Sequence, residues 1–453
     1  MNPTTAKPLN AVFTILALSL GLAAPALQAE TKSSNKIDWA GDLAVLRREL
    51  PAKHPNLFFQ TDRATFEAEL ETIAKAAPQL SNEEIGLRLQ ELMVKMGDDH
   101  SNAGWIPLME KKAVLSFLLN WFSDGWRIMS TSRSHRELLG QKLTAVNGVP
   151  MDEVEARLAR LISPHPQVVK TTLPGMILLP AALRHCGLLT DDTLTLTTQN
   201  DTGASIETAF SIKKEATSMK PDMVDFPLAK QPFAYQIQRT IVWSKAMAKS
   251  RVYYVQYNRC EGREVALRLG ASREAAAKLP SLEELLSAEV TKLSAALAKG
   301  EVDRFILDLR FNAGGASDFG TRFAEKIAAL PGMKTPGNVF VIIGRRTFSS
   351  AIINAGDFKR ELGAILVGET TSGTPNHYGD TRTLTLPSSQ LAITYSTKYF
   401  GQPGAPLEPM RPDLPAEISF AQFSRANDPS LTAILKLIED NKTTTKPVAP
   451  KED

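Results

Sequence analysis

Asp308-Leu309-Arg310-Phe311-Asn312-Ala313-Gly314-Gly315 is the stretch that decides the fold. The apolar run over 304–309 reads as a short strand buried on both faces, and two glycines follow it at once. Glycine lets a backbone approach a ligand and take conformations closed to other residues. Successive N–H groups in such a loop can hold an anion or an oxyanion. An ordinary strand-to-helix turn has the same spelling, so the glycine pair alone does not decide between the two.

Working outward, a helix is predicted over 318–329, a strand over 339–343, a helix over 350–362 and a strand over 364–367. Upstream lie a strand over 252–257 and a long helix over 282–299. Strands alternating with helices indicate an α/β domain with a largely parallel sheet. A closing β-hairpin is expected at 384–386 and 392–394. The stretch 214–250, rich in Lys, Pro and Met, reads as an inserted connection. Three amphipathic helices fill 37–96: one capped by Asp38 and stopped by Pro51, one over 65–76, and one opening at Asn82 and ended by Gly97. Between them and the core, strands are expected at 113–130 around the Ser123-Asp124-Gly125 turn, at 143–150 and over 192–213, with a helix over 151–161. The expected organisation is a signal peptide over 1–29, a helical domain over 30–107, a mixed β-rich middle region over 108–250, the α/β core over 251–425, and a C-terminal helix and disordered tail over 426–453. No core-forming pattern is read beyond Leu437.

Two more segments carry chemistry. Gly344-Arg345-Arg346-Thr347-Phe348-Ser349-Ser350-Ala351 follows a buried strand and opens a helix. A serine at that junction exposes its hydroxyl at the carboxyl edge of the sheet, beside the free N–H groups of a helix N-terminus. This is the logic of a nucleophile elbow, although Gly-x-Ser-x-Gly is absent; a serine acting as helix N-cap is the plainer alternative. Gly97-Asp98-Asp99-His100-Ser101 supplies an imidazole, which can take the proton of an attacking hydroxyl.

Taken together and in this order, the segments resemble the S41 family of serine peptidases, the tail-specific or C-terminal-processing type and its tricorn-like relatives. The family's Gly-Asp-x-His, its Asp-Leu-Arg-x-Asn-x-Gly-Gly and its strand-to-helix serine are matched above. Its Gly-Glu-x-Thr-x-Gly is matched by Gly368-Glu369-Thr370-Thr371-Ser372-Gly373, and its Asn-Gly-Val-Pro segment by Asn147-Gly148-Val149-Pro150. The likeness covers roughly 90–150 and 250–420. It implies a parallel-sheet core of the ClpP/crotonase-like type and peptide-bond hydrolysis through an acyl-enzyme, with no cofactor or metal and with a peptide or protein as partner. By gapless match the nucleophile is Ser349, with Ser350 as runner-up. Gly314, Gly315 and Ser350 would form the oxyanion hole. Thr374 stands where the tail-specific branch has a general-base Lys, so the implied base is His100, as in the tricorn-like branch. Asp99 replaces that branch's Ser before the His and would orient the ring. The branch's distant Glu is matched by Glu408, in Pro406-Leu407-Glu408-Pro409-Met410-Arg411-Pro412-Asp413. No PDZ pattern is evident over 101–250. A peptide-binding scaffold without catalysis and an esterase on the same core are the rival readings.

Composition sets outer bounds. The 453 residues are 43% hydrophobic and 22% charged, proportions of a globular chain long enough for two to four domains. With 52 Lys+Arg against 49 Asp+Glu, a net charge of +3 argues against a nucleic-acid binder. Two cysteines, Cys186 and Cys260, exclude a zinc ribbon or a disulfide framework. Lys7, the apolar run 11–26 and the small residues up to Ala29 read as a secretory signal peptide, which implies a periplasmic or secreted protein with no stable membrane span after cleavage.

Overall fold

The computed structural model describes residues 36–109, 114–215, 222–401 and 408–444. The expected signal peptide lies outside them. Among the described residues, no helix is long and apolar enough to cross a membrane. The chain divides into two compact units. One comprises residues up to Trp121, Gly125–Phe226 and Asn376–Gly401; the other comprises Phe122–Asp124, Pro227–Pro375 and the residues from 402 on.

In the first unit, helices Trp39–Lys53, Arg63–Ala76 and Asn82–Met96 pack around Leu46, Phe66, Leu70 and Ile85. Asp38, Asp62 and Ser81 each cap a first turn by accepting a backbone N–H three residues on. Pro51 does not stop its helix, which runs to Lys53 with the proline in its last turn. Gly97, at φ 83°, ends the third helix in the left-handed conformation and turns Asp98, Asp99 and His100 into a loop. A seven-stranded sheet follows. Its strands include Phe117–Phe122, Gly125–Ser132, Lys142–Val146, Thr193–Gln199 and Ser205–Ser211. Helices Met151–Ala159 and Pro166–Met176 contribute to the core beside it.

The hairpin expected to close the α/β core instead belongs to this first unit. Its strands, His377–Thr385 and Ala392–Phe400, are longer than the sequence suggests. The short strand Asn102–Ala103 pairs with the second of them, Asn102 opposite Thr394. That pairing lays the loop carrying His100 against the hairpin.

The second unit is built on six strands in the order Leu414–Pro415, Ile365–Gly368, Val339–Ile343, Arg304–Asp308, Val252–Tyr257 and Val242–Met247. All neighbours are parallel except the last pair. Val242–Met247, inside the stretch read as an inserted connection, is therefore an edge strand of the core sheet. Both faces are covered, which is why Val339–Ile343 is apolar throughout. Val339, Val341 and Ile343 pack with Leu286, Phe319, Phe323 and Phe358, residues of helices Leu282–Ala298, Ser317–Ala328 and Ser350–Leu362. Phe340 and Ile342 point the other way, to Leu431, Ile434 and Ile438 of helix Pro429–Thr444. That helix continues past Leu437, where no core-forming pattern was read. The mixed α/β architecture agrees with the fold class expected from the sequence.

Candidate active site

In the second unit, strand Val339–Ile343 delivers a tight loop to the N-terminus of helix Ser350–Leu362. Thr347 fastens this loop: its hydroxyl donates to the Leu309 carbonyl at 2.9 Å and accepts the Gly344 N–H at 2.9 Å. Ser349 stands at the turn with φ 50° and ψ −125°. A residue bearing a Cβ adopts that conformation only at a cost of about 1–3 kcal/mol, held by its surroundings. Although Ser349 occupies the N-cap position, its side chain accepts no hydrogen bond from the helix. The hydroxyl is thus not spent on capping, which removes the plainer reading of this serine.

The glycine loop packs directly against the elbow. Gly314 and Gly315 have φ 103° and 131°. A Cβ built on Gly314 would lie 2.8 Å from Cβ of Ser349 and 3.1 Å from the Ser350 nitrogen; one on Gly315 would lie 2.1 Å from the Cys260 carbonyl oxygen. Cys260 zips the loop down, donating to the Gly314 carbonyl at 3.0 Å and accepting from Ala316 at 2.9 Å. Asn312 is the buried pin: its Nδ2 donates to the Tyr257 carbonyl at 3.0 Å and its carbonyl accepts the Phe348 N–H at 3.1 Å. Its Oδ1 accepts the Gly314 N–H at 2.9 Å. The Gly314 amide, expected to serve the oxyanion hole, is engaged by Asn312 in this structure, and the absent side chain of Gly314 leaves room for Ser349. The hydroxyl of Ser350, the runner-up nucleophile, donates to the Gly315 carbonyl at 2.7 Å. Among the described residues, no hydrogen bond takes the N–H of Gly315 or of Ser350.

Two braces hold this arrangement. Glu369 binds the Arg345 guanidinium at 2.7 Å, while Ser372 donates its hydroxyl to the Arg345 carbonyl and its N–H to that of Thr347. Behind the glycine loop, Arg310 is clamped between Asp308 at 2.9 Å and Asp428 at 2.8 Å, all three buried. Burial pushes the Asp308 carboxyl above its ordinary value despite Arg310 beside it.

The imidazole belongs to the first unit. Asp98 lies buried at the end of helix Asn82–Met96 and gathers four donors: His54 Nε2 at 3.1 Å, Ser396 Oγ at 2.6 Å, the Ser101 hydroxyl and the His100 N–H at 3.1 Å. Burial alone would raise its pKa, but these bonds and the nearby His100 charge draw it down to about 2. His100 stacks on His377 at 5.3 Å between centroids, and His377 stacks on Phe400 at 5.5 Å. Burial chiefly pushes the His100 pKa down to about 4; Asp98 and Asp99 oppose this and His377 adds to it. The ring is therefore neutral at neutral pH and able to accept a proton.

Asp99 does not hydrogen-bond the His100 ring. Its carboxylate accepts the Ser163 hydroxyl at 2.6 Å and meets His165 Nδ1 at 2.7 Å, which raises the His165 pKa. Neighbours in a turn point apart, and Asp99 faces away from the residue it was expected to orient. Glu408 is a surface acid, 73% exposed, paired with Arg411 at 3.4 Å. Cys186 and Cys260 are both buried and unbridged, and burial pushes each thiol up to about 12. Among the described residues, no three His, Cys, Asp or Glu side chains group to hold a metal ion.

No protein-family model matches the chain, and no curated protein matches its sequence. Solved structures do. Mature CPAF complexed with lactacystin aligns with a TM-score of 0.57 at 11% identity, over 89% of this chain and 98% of that one. The photosystem II D1 C-terminal processing protease aligns at 0.39 and 11% identity, over 87% and 99%; the tricorn protease aligns at 0.38 and 13%, over 89% and 36%. The last two overlap too loosely to add to the argument. The chain has the fold of mature CPAF.

Within this fold, the structure gathers Ser349, Ser350, Gly314 and Gly315 at one corner of one unit, and His100 with Asp99 on one loop of the other. The sequence reading missed Asn312, Thr347, His54 and Ser396 as supporting residues. Asn312 could have been found inside Asp-Leu-Arg-x-Asn-x-Gly-Gly. Ser396, 298 positions from Asp98, carries no such signal.

Proposed function

We propose that this chain is a serine peptidase of the S41 type, with Ser349 as nucleophile and His100 as general base. The observation that carries the reading is the Ser349 backbone at φ 50°, ψ −125° with its hydroxyl unused by the helix. In the proposed reaction, Ser349 Oγ attacks a peptide carbonyl carbon while its proton passes to the His100 ring. The N–H groups of Ser350 and Gly315 receive the oxyanion, an interaction worth about 10²–10³ in kcat per donor in comparable sites. Collapse of the tetrahedral intermediate breaks the C–N bond, and the leaving amine takes the proton from His100. Water then hydrolyses the acyl ester by the same route in reverse. Residues 1–29 are proposed to export the protein.

The test uses the purified full chain, a fluorophosphonate probe and a peptide library. Labelling at Ser349 and cleavage, both abolished by Ser349→Ala, are the expected results. A specific observation favours a second reading: the Asp99 carboxylate is turned to Ser163 and His165, and Glu408 pairs with Arg411 at the surface. A scaffold that binds peptides without labelling would fit that. Turnover of esters with no cleavage of matched amides would favour the esterase.

A further inference from the structure

A base of this kind needs a carboxylate that fixes its ring and balances the imidazolium. Asp99 is spent on Ser163 and His165. Asp98, by contrast, is fixed in its own right. It is almost fully buried, and four donors leave its carboxylate little freedom to turn. Its Oδ1 accepts the His100 N–H at 3.1 Å and lies 3.9 Å from His100 Nδ1, too far for a direct hydrogen bond and close enough for a strong field in a buried site. His377, stacked nearly parallel on the ring, limits its tilt. The donors come from three separate elements: His54 just after the first helix, Ser101 on the loop itself, and Ser396 on the hairpin. Ser101 also accepts the Ser396 N–H at 3.3 Å, closing a small network around the carboxylate.

We propose that Asp98 is the positioning residue for His100, held in place by His54, Ser101 and Ser396. This rests on the reading of His100 as base. Asp98 touches no reacting atom; it acts by anchoring the backbone of His100 and by placing a negative charge beside Nδ1. The charged and titratable groups that act on the ring include Asp98, Asp99 and His377, with His54 bonded to Asp98.

Two measurements test this on the full chain. The first is the NMR titration of the His100 ring in wild type, Asp98→Asn and Asp99→Asn, which needs no activity and so stands or falls apart from the peptidase reading. Removing the charge of Asp98 lowers the His100 midpoint, and by more than removing that of Asp99 does. The second is the pH profile of kcat/KM for a cleaved peptide. In Asp98→Asn the plateau falls by about 10²- to 10⁴-fold, mostly in kcat, and the acid limb moves to lower pH. If Asp98→Asn does not fold, Ser396→Ala serves: with one donor fewer the carboxylate is held less firmly beside the ring, and the His100 midpoint falls, by less than in Asp98→Asn. An unmoved His100 midpoint in these variants, or a Glu408→Gln variant that reproduces the kinetic loss while Asp98→Asn does not, overturns the proposal.

Discussion

Gly314 has no room for a side chain, because a Cβ built on it would stand 2.8 Å from Cβ of Ser349 and 3.0 Å from the Phe348 carbonyl oxygen. Its φ of 103° adds a second obstacle. Gly314→Ala must therefore push the elbow away or unwind the glycine loop. The expected cost is about 1–3 kcal/mol, with loss of fluorophosphonate labelling well beyond what the lower stability explains. Thermal melts and labelling at a temperature where the variant is fully folded check this; normal labelling of a folded Gly314→Ala would refute the packing argument.

Ser350 offers the complementary case. Its hydroxyl is bonded to the Gly315 carbonyl at 2.7 Å, whereas its proposed catalytic contribution comes from its backbone N–H. Ser350→Ala keeps that N–H. It should lower stability by about 1 kcal/mol and leave the labelled position at Ser349 unchanged. Mass spectrometry of the labelled peptide decides the matter, since modification lost from Ser349 in this variant would reopen the choice of nucleophile.

These two residues also show how far the sequence could be read. The spacing from Glu369 back to Ser349 singles out the serine that stands at the elbow, and alternation of apolar strands with helices indicates the sheet, because both depend on local pattern. Whether Gly314 or Gly315 keeps its N–H free depends on Asn312 folding its side chain back over the loop, which no motif spells out. Asp99 and Asp98 are neighbours of the same type; the turn after Gly97 decides which faces His100, and the partners that hold each one, His165 and Ser396, lie 66 and 298 positions away. The pattern at 384–386 and 392–394 indicates a hairpin, but nothing local tells a strand pair which sheet to join.

The depressed pKa of His100 has a kinetic consequence. As general base the ring must be neutral, and it is neutral above about pH 4 rather than above the ordinary value near 6.5. Burial is the main cause, so the effect belongs to the folded protein. With Asp98 ionised down to about pH 2, the rise of kcat/KM with pH should have its midpoint near 4 and be flat by pH 6. A pH profile on a substrate without titrating groups tests this; a limb centred at 6.5 would mean that the ring is solvated in the working enzyme.

The clamp of Arg310 between Asp308 and Asp428 yields a prediction about stability rather than chemistry. All three groups are buried, and Asp428 also accepts the N–H groups of Ser430 and Leu431 at the start of the C-terminal helix. Arg310→Met removes the cation and strands two carboxylates in the core, which should cost about 3–5 kcal/mol at neutral pH. The sign of its pH dependence follows from linkage. Without Arg310 the Asp308 carboxyl, already raised by burial, holds its proton in the folded state to a higher pH than in the unfolded chain, so between those values the folded state binds more protons and loses stability as pH rises. The deficit of the variant relative to wild type should therefore be smaller at pH 5 than at pH 8. Urea unfolding at both pH values measures it, and an equal deficit at the two would mean that water reaches the pair and that the Asp308–Arg310–Asp428 cluster does not brace the glycine loop through buried charge.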